Sequence, residues 1–193
     1  AVLAFAAMFL KPTQDANVKK DTISQILTAA TVAGDDILAT YRQEIEKAIL
    51  VDAEGNQVGE LDIQDCEVYD NSALKRQIAA DQKELPVYIF KNGTTVIPCY
   101  GAGLWGPIWG YVALADDWNT IIGVAFAHKS ETPGLGDKIT EEDFLKRFVG
   151  KKIKNEAGEF VSVSVEKIGQ KTASDINRVD AVSGATITSK GVE

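Results

Sequence analysis

The chain has 193 residues, 45% of them hydrophobic and 25% charged, the composition of an ordinary folded chain with material for one large domain or two small ones. Its net charge of -8 excludes DNA and RNA as partners, because binding to a phosphate backbone draws on clustered Lys and Arg. Cys66 and Cys99 form no CxxC pair and His128 is the sole histidine, so a zinc site of the usual Cys/His kind is not available; one disulfide and two buried free thiols both stay open.

The first ten residues, AVLAFAAMFL, are an uninterrupted apolar run that stops at Lys11 and Pro12. Ten residues cannot cross a bilayer, which takes about 20. The cut end of a transmembrane helix, a signal-peptide remnant and a short buried helix all fit, and we take the first as the expectation. Lys11, Lys19 and Lys20 set against Asp15 and Asp21 favour a cytoplasmic domain by the positive-inside rule, a weak vote with only one flank present.

Over residues 15–30, Val18, Ile23, Ile26 and Leu27 follow helical spacing, which predicts a helix leaving the membrane end. Ile37, Leu38, Tyr41, Ile45 and Ile49 predict a second helix over residues 37–49, apolar on one face and charged on the other. Beyond Leu50 the texture changes to short β-prone runs punctuated by turn signals at 53–57, 91–93, 116–119 and 155–159. VYIF before Lys91 and TVIP after Gly93 predict one hairpin, and residues 111–114 with 121–126 predict a second. Thr140 as N-cap, with Asp143 three residues on, predicts a short helix through Phe148, and the run EFVSVSVEKI predicts a strand after it. Helices and antiparallel hairpins segregate, so the expected fold class is α+β with no Rossmann alternation. The expected organisation is a membrane-helix end at residues 1–10, an N-terminal α/β subdomain at 11–85, and a second domain at 86–193 after the DQKELP junction.

The most informative segment is the last, DAVSGATITSKGVE. Gly184 and Ala185 leave the backbone slim just before Thr186, so its hydroxyl can be offered to another protein's active site. An unaided threonine alcohol is a poor nucleophile, and only Asp180 nearby resembles a base. That pattern suits a hydroxyl modified by a separate enzyme better than a catalytic one, and no catalytic residue is expected on this chain.

Asp180, Ser183, Gly184, Ala185 and Thr186 resemble the target motif of the bacterial flavin transferase, Asp-x-x-Ser/Thr-Gly-Ala-Thr, whose last Thr receives FMN through a phosphoester. At average residue frequencies five such positions match by chance on the order of once in a million sites. SETPGLGDKI, residues 130–139, resembles the flavin-contacting loop of the FMN-binding family, which is shared by the C subunit of the sodium-translocating NADH:quinone reductase and the G subunit of the Rnf electron-transport complex. Gly134 and Gly136 around Leu135 would let backbone amides approach a ring or phosphate, and Glu131 and Thr132 offer hydrogen-bonding groups. The Gly-Leu-Trp-Gly-Pro run from Gly103 to Pro107 resembles the sodium-pump branch, and Trp105 and Trp109 are candidates to wall the flavin, although aromatic side chains serve more often as core.

The resemblance implies covalent FMN on Thr186, with Ser183, Gly184, Ala185, Glu131, Thr132, Gly134, Leu135, Gly136 and Trp105 as cofactor-binding residues and no metal ligands. It implies other subunits of a membrane NADH:quinone reductase as partners, a flavin transferase for maturation, and a single-pass N-terminal anchor in a bacterial inner membrane. It also places the soluble domain on the extracytoplasmic face, against the lysine count, with electrons from NADH passing through the flavin toward quinone while sodium is moved. Two alternatives stay open on the residues alone: the G subunit of the Rnf ferredoxin:NAD complex, and a cofactor-free membrane-anchored binding module whose glycine-rich loops are only turns.

Overall fold

The computed structural model describes residues 2–193, with side chains described from Leu10 onward. The apolar run at the start of the chain therefore falls, apart from Leu10, outside the residues whose side chains are described. Helix α1 spans Val2–Ala29, and no helix among the described residues is long and apolar enough to cross a membrane.

Ile23, Ile26, Leu27 and Ala30 recur at helical spacing and are buried, which is why the end of α1 lies against the rest of the molecule. The helix closes at Thr31, whose φ of 58 puts it in the left-handed region, with the Val32 amide returning to the Leu27 carbonyl. Helix α2, Ile37–Glu44, starts at Asp36, whose side chain accepts from the amides of Leu38 and Ala39.

Here the expected helix over residues 37–49 is corrected: the chain turns extended at Ile45 and strand β1 runs Ile45–Val51. β1 lies between β2 (Gln57–Leu61) and a later strand, so its backbone is paired on both sides, and this outweighs the helical spacing of Ile45 and Ile49. Helix α3, Asn71–Ala79, capped by Asp70, follows; no periodic signal announced it.

The two hairpins are where the sequence put them, with longer strands: β3 (Leu85–Phe90) with β4 (Thr95–Ala102), and β5 (Pro107–Leu114) with β6 (Ile121–His128). Six strands form one antiparallel sheet in the order β2-β1-β3-β4-β5-β6, and its hydrogen bonding continues across residue 85 through the β1–β3 pair. With the helices packed on it, the fold is α+β.

The two-residue period of the strands assigns each face its core. Tyr111 and Ala113 of β5 and Ala125 of β6 join α1, α2, β1 and β3 in one buried cluster. Ile108 and Leu114 of β5 and Val124 and Phe126 of β6 point the other way, into a second cluster with residues from 139 onward.

That second layer holds a 3-10 turn at Gly136–Thr140, helix α4 at Glu142–Leu145, a further 3-10 turn at Lys146–Phe148, and two short strands, β7 (Ser164–Glu166) and β8 (Arg178–Asp180). Thr140 does not cap α4; its hydroxyl donates to the Asp137 carbonyl inside the preceding 3-10 turn. Of the strand expected over 159–168 only β7 forms, and it pairs in parallel with β8. Phe148 packs edge to face against both Phe126 and Phe144, each with ring centroids 5.3 Å apart. Cys66 and Cys99 are free thiols, and burial pushes the Cys99 thiol up to about 12.

Candidate functional site

The C-terminal motif is held by its neighbours before it presents any side chain. β8 delivers Asp180 beside Glu166 of β7, and the Ala181 amide donates to the Glu166 carbonyl. Arg147 donates through Nη1 to the carbonyls of Asp180 and Ala181 at 2.8 and 3.1 Å, while the Asp180 carboxylate pairs with Arg178. Asp180 is thus occupied with folding the motif and does not stand free as a base. The chain then turns at Gly184, whose φ of 78 suits a residue without a Cβ. Helix α5 begins at once, Thr186–Lys190, and Ser189 closes the turn from within it: its hydroxyl accepts from the Val182 amide and donates to the Ala185 carbonyl.

Thr186 opens onto a cleft of about 550 Å³ lined by Leu104, Trp105, Glu131, Thr132, Leu135, Gly136, Lys167, Gly184, Ala185, Thr186, Ile187 and Thr188. Eight of the ten residues singled out in the sequence meet here: Trp105, Glu131, Thr132, Leu135, Gly136, Gly184, Ala185 and Thr186. Ser183 and Gly134 lie outside the lining, both exposed. The rim is apolar and open, with Leu104, Trp105, Leu135 and Ile187 between 44% and 64% exposed. A hydroxyl in the lining of a cleft this size, together with an exposed indole and aliphatic side chains, suits a flat aromatic ring with a phosphate tail, so the residues fit FMN. The glycine-rich loop touches the motif directly, because a methyl on Gly184 would sit 3.2 Å from Leu135 Cδ2.

Glu131 is 6% exposed, and both carboxylate oxygens are engaged inside the protein, Oε1 by the Trp105 amide at 2.9 Å and Oε2 by the Thr188 hydroxyl at 2.6 Å. His128 accepts at Nδ1 from the Glu131 amide at 3.2 Å. Among the described residues no group of three or more His, Cys, Asp or Glu side chains could hold a metal.

Comparison with known proteins supplies the deciding observation. The FMN-binding domain family matches residues 103–193. The C subunit of the Na(+)-translocating NADH-quinone reductase of Haemophilus ducreyi is 35% identical over 209 residues, covering 100% of this chain and 80% of the relative. This chain belongs to the NqrC family. The corresponding protein of Vibrio vulnificus is 30% identical over 213 residues, again across 100% of this chain, with 81% of the relative covered. Among solved structures, the Parabacteroides distasonis protein of the same name superposes with a TM-score of 0.81 at 38% identity over 95% of this chain and 89% of its own, and the Shewanella oneidensis NqrC with 0.72 at 31% over 92% and 89%. Between the two branches that share the flavin-contacting loop, the membership is with the sodium pump.

In this NqrC-family chain, five site residues were not singled out from the sequence: Leu104, Lys167, Ile187 and Thr188 in the lining, and Arg147 behind the motif. Thr188 and Ile187 lie inside the motif segment and needed only the helical geometry of α5; Arg147 and Lys167 needed the tertiary fold. Lys167 follows Glu166 at the end of β7, where parallel pairing with β8 brings it level with the motif.

Glu166 itself is 4% exposed and accepts from the Thr172 hydroxyl and amide and from the Ala173 amide. The Thr172 hydroxyl foremost holds its carboxyl below the ordinary 4.5. A lowered carboxyl stabilises the fold fully above that ordinary value and loses the contribution as pH falls through the folded one. The stability difference between wild type and Glu166→Gln is therefore expected to be constant from pH 7 to about 5 and to shrink below about 4.5, which urea midpoints at pH 7, 5, 4 and 3 would record.

Proposed function

We propose that this chain carries FMN in the cleft, bound through a phosphoester to Thr186, and serves as a membrane-anchored electron carrier in a sodium-translocating NADH:quinone reductase. The observation that carries this reading is the cleft itself, which Thr186 lines and which is built from four segments far apart in the chain, around residues 104, 131–136, 167 and 184–188.

Bound there, FMN supplies one-electron and two-electron redox chemistry. The chain's own residues do the rest. Thr186 would hold the phosphate tail, Trp105, Leu104 and Leu135 would supply apolar walls, Gly136 would let backbone come close, and Lys167 would supply positive charge in the lining. Residues 86–193 form the FMN-binding part and residues 11–85 the N-terminal subdomain. The domain stands on the extracytoplasmic side of a bacterial inner membrane, is loaded by a flavin transferase, and exchanges electrons with other subunits of the complex. An open apolar rim leaves the flavin edge accessible to such a partner.

The test is intact-mass and peptide mass spectrometry after co-expression with a flavin transferase. An unmodified chain, with the transferase active on a control protein, would leave a cofactor-free binding module. A narrower expectation concerns Trp105, which is 64% exposed. Trp105→Ala is expected to change stability by no more than about 0.5 kcal/mol, while the loaded protein's flavin fluorescence rises through loss of the adjacent indole quencher; unchanged emission would remove Trp105 from the flavin's surroundings.

A further inference from the structure

Glu131 is a buried carboxylate with no cation paired to it among the described residues, an arrangement that is costly unless hydrogen bonds compensate. The compensation is directional. The Leu104 amide donates to Thr188 Oγ1 at 3.3 Å, which leaves the Thr188 hydroxyl to donate onward to Glu131 Oε2, while the Trp105 amide donates to Oε1. Each carboxylate oxygen thus has a donor within the protein, Oε1 the Trp105 amide and Oε2 the Thr188 hydroxyl. The group is also tightly enclosed: a methyl on Gly103 would overlap Oε1 and one on Gly136 would overlap Oε2. One side chain therefore joins the 103–105 turn, the 131–136 loop and α5, and all three line the cleft beside Thr186.

We propose that Glu131 is the positioning residue of the cleft, holding the Leu104–Trp105 wall against α5 before any cofactor arrives and placing a fixed negative charge on the cleft that holds the reduction potential of a bound flavin low. Electrons added to a flavin bring negative charge with them, and a buried, poorly screened carboxylate opposes that. Lys167, the one cation in the lining, is exposed and far better screened, so its compensation is incomplete. The second half of the proposal rests on FMN occupying the cleft; the first does not.

The experiment compares wild type, Glu131→Gln and Thr188→Val, with hydrogen exchange of the Leu104 and Trp105 amides measured before loading and the flavin midpoint potential after it. In Glu131→Gln the Trp105 amide, whose charged acceptor becomes neutral, is expected to exchange on the order of tenfold faster, while the Leu104 amide, which donates to Thr188, quickens less, and the potential is expected to rise. In Thr188→Val the Leu104 amide quickens while the potential moves less, because the charge remains. Wild-type exchange rates in both variants would overturn the positioning role, and an unchanged potential in a loaded, folded Glu131→Gln would overturn the electrostatic one. Should Glu131→Gln fail to fold, Glu131→Asp keeps the charge on a shorter arm: faster exchange with the potential held low is the expected result, and unaltered exchange or a raised potential overturns the proposal. A wild-type chain that takes no flavin would count against the FMN reading, while the exchange measurement still decides the positioning role.

Discussion

Thr186→Ala, co-expressed with a flavin transferase, is expected to emerge with its unmodified mass, while the wild type gains an FMN-sized increment confined to the tryptic peptide of residues 179–190. That peptide carries four hydroxyls, at Ser183, Thr186, Thr188 and Ser189, and the fold ranks them. Thr188 is 1% exposed with its hydroxyl committed to Glu131, and Ser189 is 0% exposed with its hydroxyl shared between Val182 and Ala185. Neither can reach another protein's active site without unfolding α5. Ser183 is exposed but lies outside the cleft lining, so a flavin attached there would not be delivered to the Trp105 wall. Thr186 alone combines partial exposure with a place in the cleft. Thr186→Ser keeps the nucleophilic oxygen and is expected to retain loading. An adduct that persists in Thr186→Ala would move the attachment to Ser183, and fragmentation of the peptide would show it.

Tyr88→Ala is expected to cost about 3–5 kcal/mol, the range for deleting a buried aromatic side chain. Tyr88 is 0% exposed in the third strand of the sheet, edge to face with Tyr41 on one side and Tyr111 on the other, and its hydroxyl accepts from the Tyr69 amide at 3.2 Å. The substitution leaves a cavity beneath α2 and strands the Tyr69 amide. Against a total stability of about 5–15 kcal/mol this is a large fraction, and because the sheet runs unbroken from β2 to β6 the loss is expected to reach the flavin cleft as well. Circular dichroism and the fluorescence of loaded flavin should then report the same denaturant midpoint, shifted to lower urea. Two separated midpoints would instead support an N-terminal subdomain that unfolds by itself. Tyr88→Phe keeps the ring and removes only the acceptor, so a smaller loss of about 1–3 kcal/mol is expected.

What the residues alone determined follows from short-range chemistry. Hairpins β3–β4 and β5–β6 were legible because β-prone runs flank turn residues, and the helical end of α1 because Ile23, Ile26 and Leu27 keep a helical period. The attachment motif was legible because five specified residue types within seven positions seldom coincide by chance. Other features depended on partners remote in the chain. Ile45 and Ile49 keep a helical spacing yet lie in β1, since a strand position with neighbours on both sides pairs backbone that a surface helix would leave outside the sheet. The parallel pairing of β7 with β8, which brings Lys167 into the cleft that Thr186 lines, joins segments that carry no mutual signal in sequence. Glu131 reads in sequence as a free hydrogen-bonding group of a flavin loop; only the folded chain shows its oxygens taken by Trp105 and by Thr188, 57 positions away. Local pattern determined which hydroxyl is offered and which strands form hairpins. Tertiary packing decided what surrounds that hydroxyl, because a buried carboxylate must find its donors wherever the fold brings them.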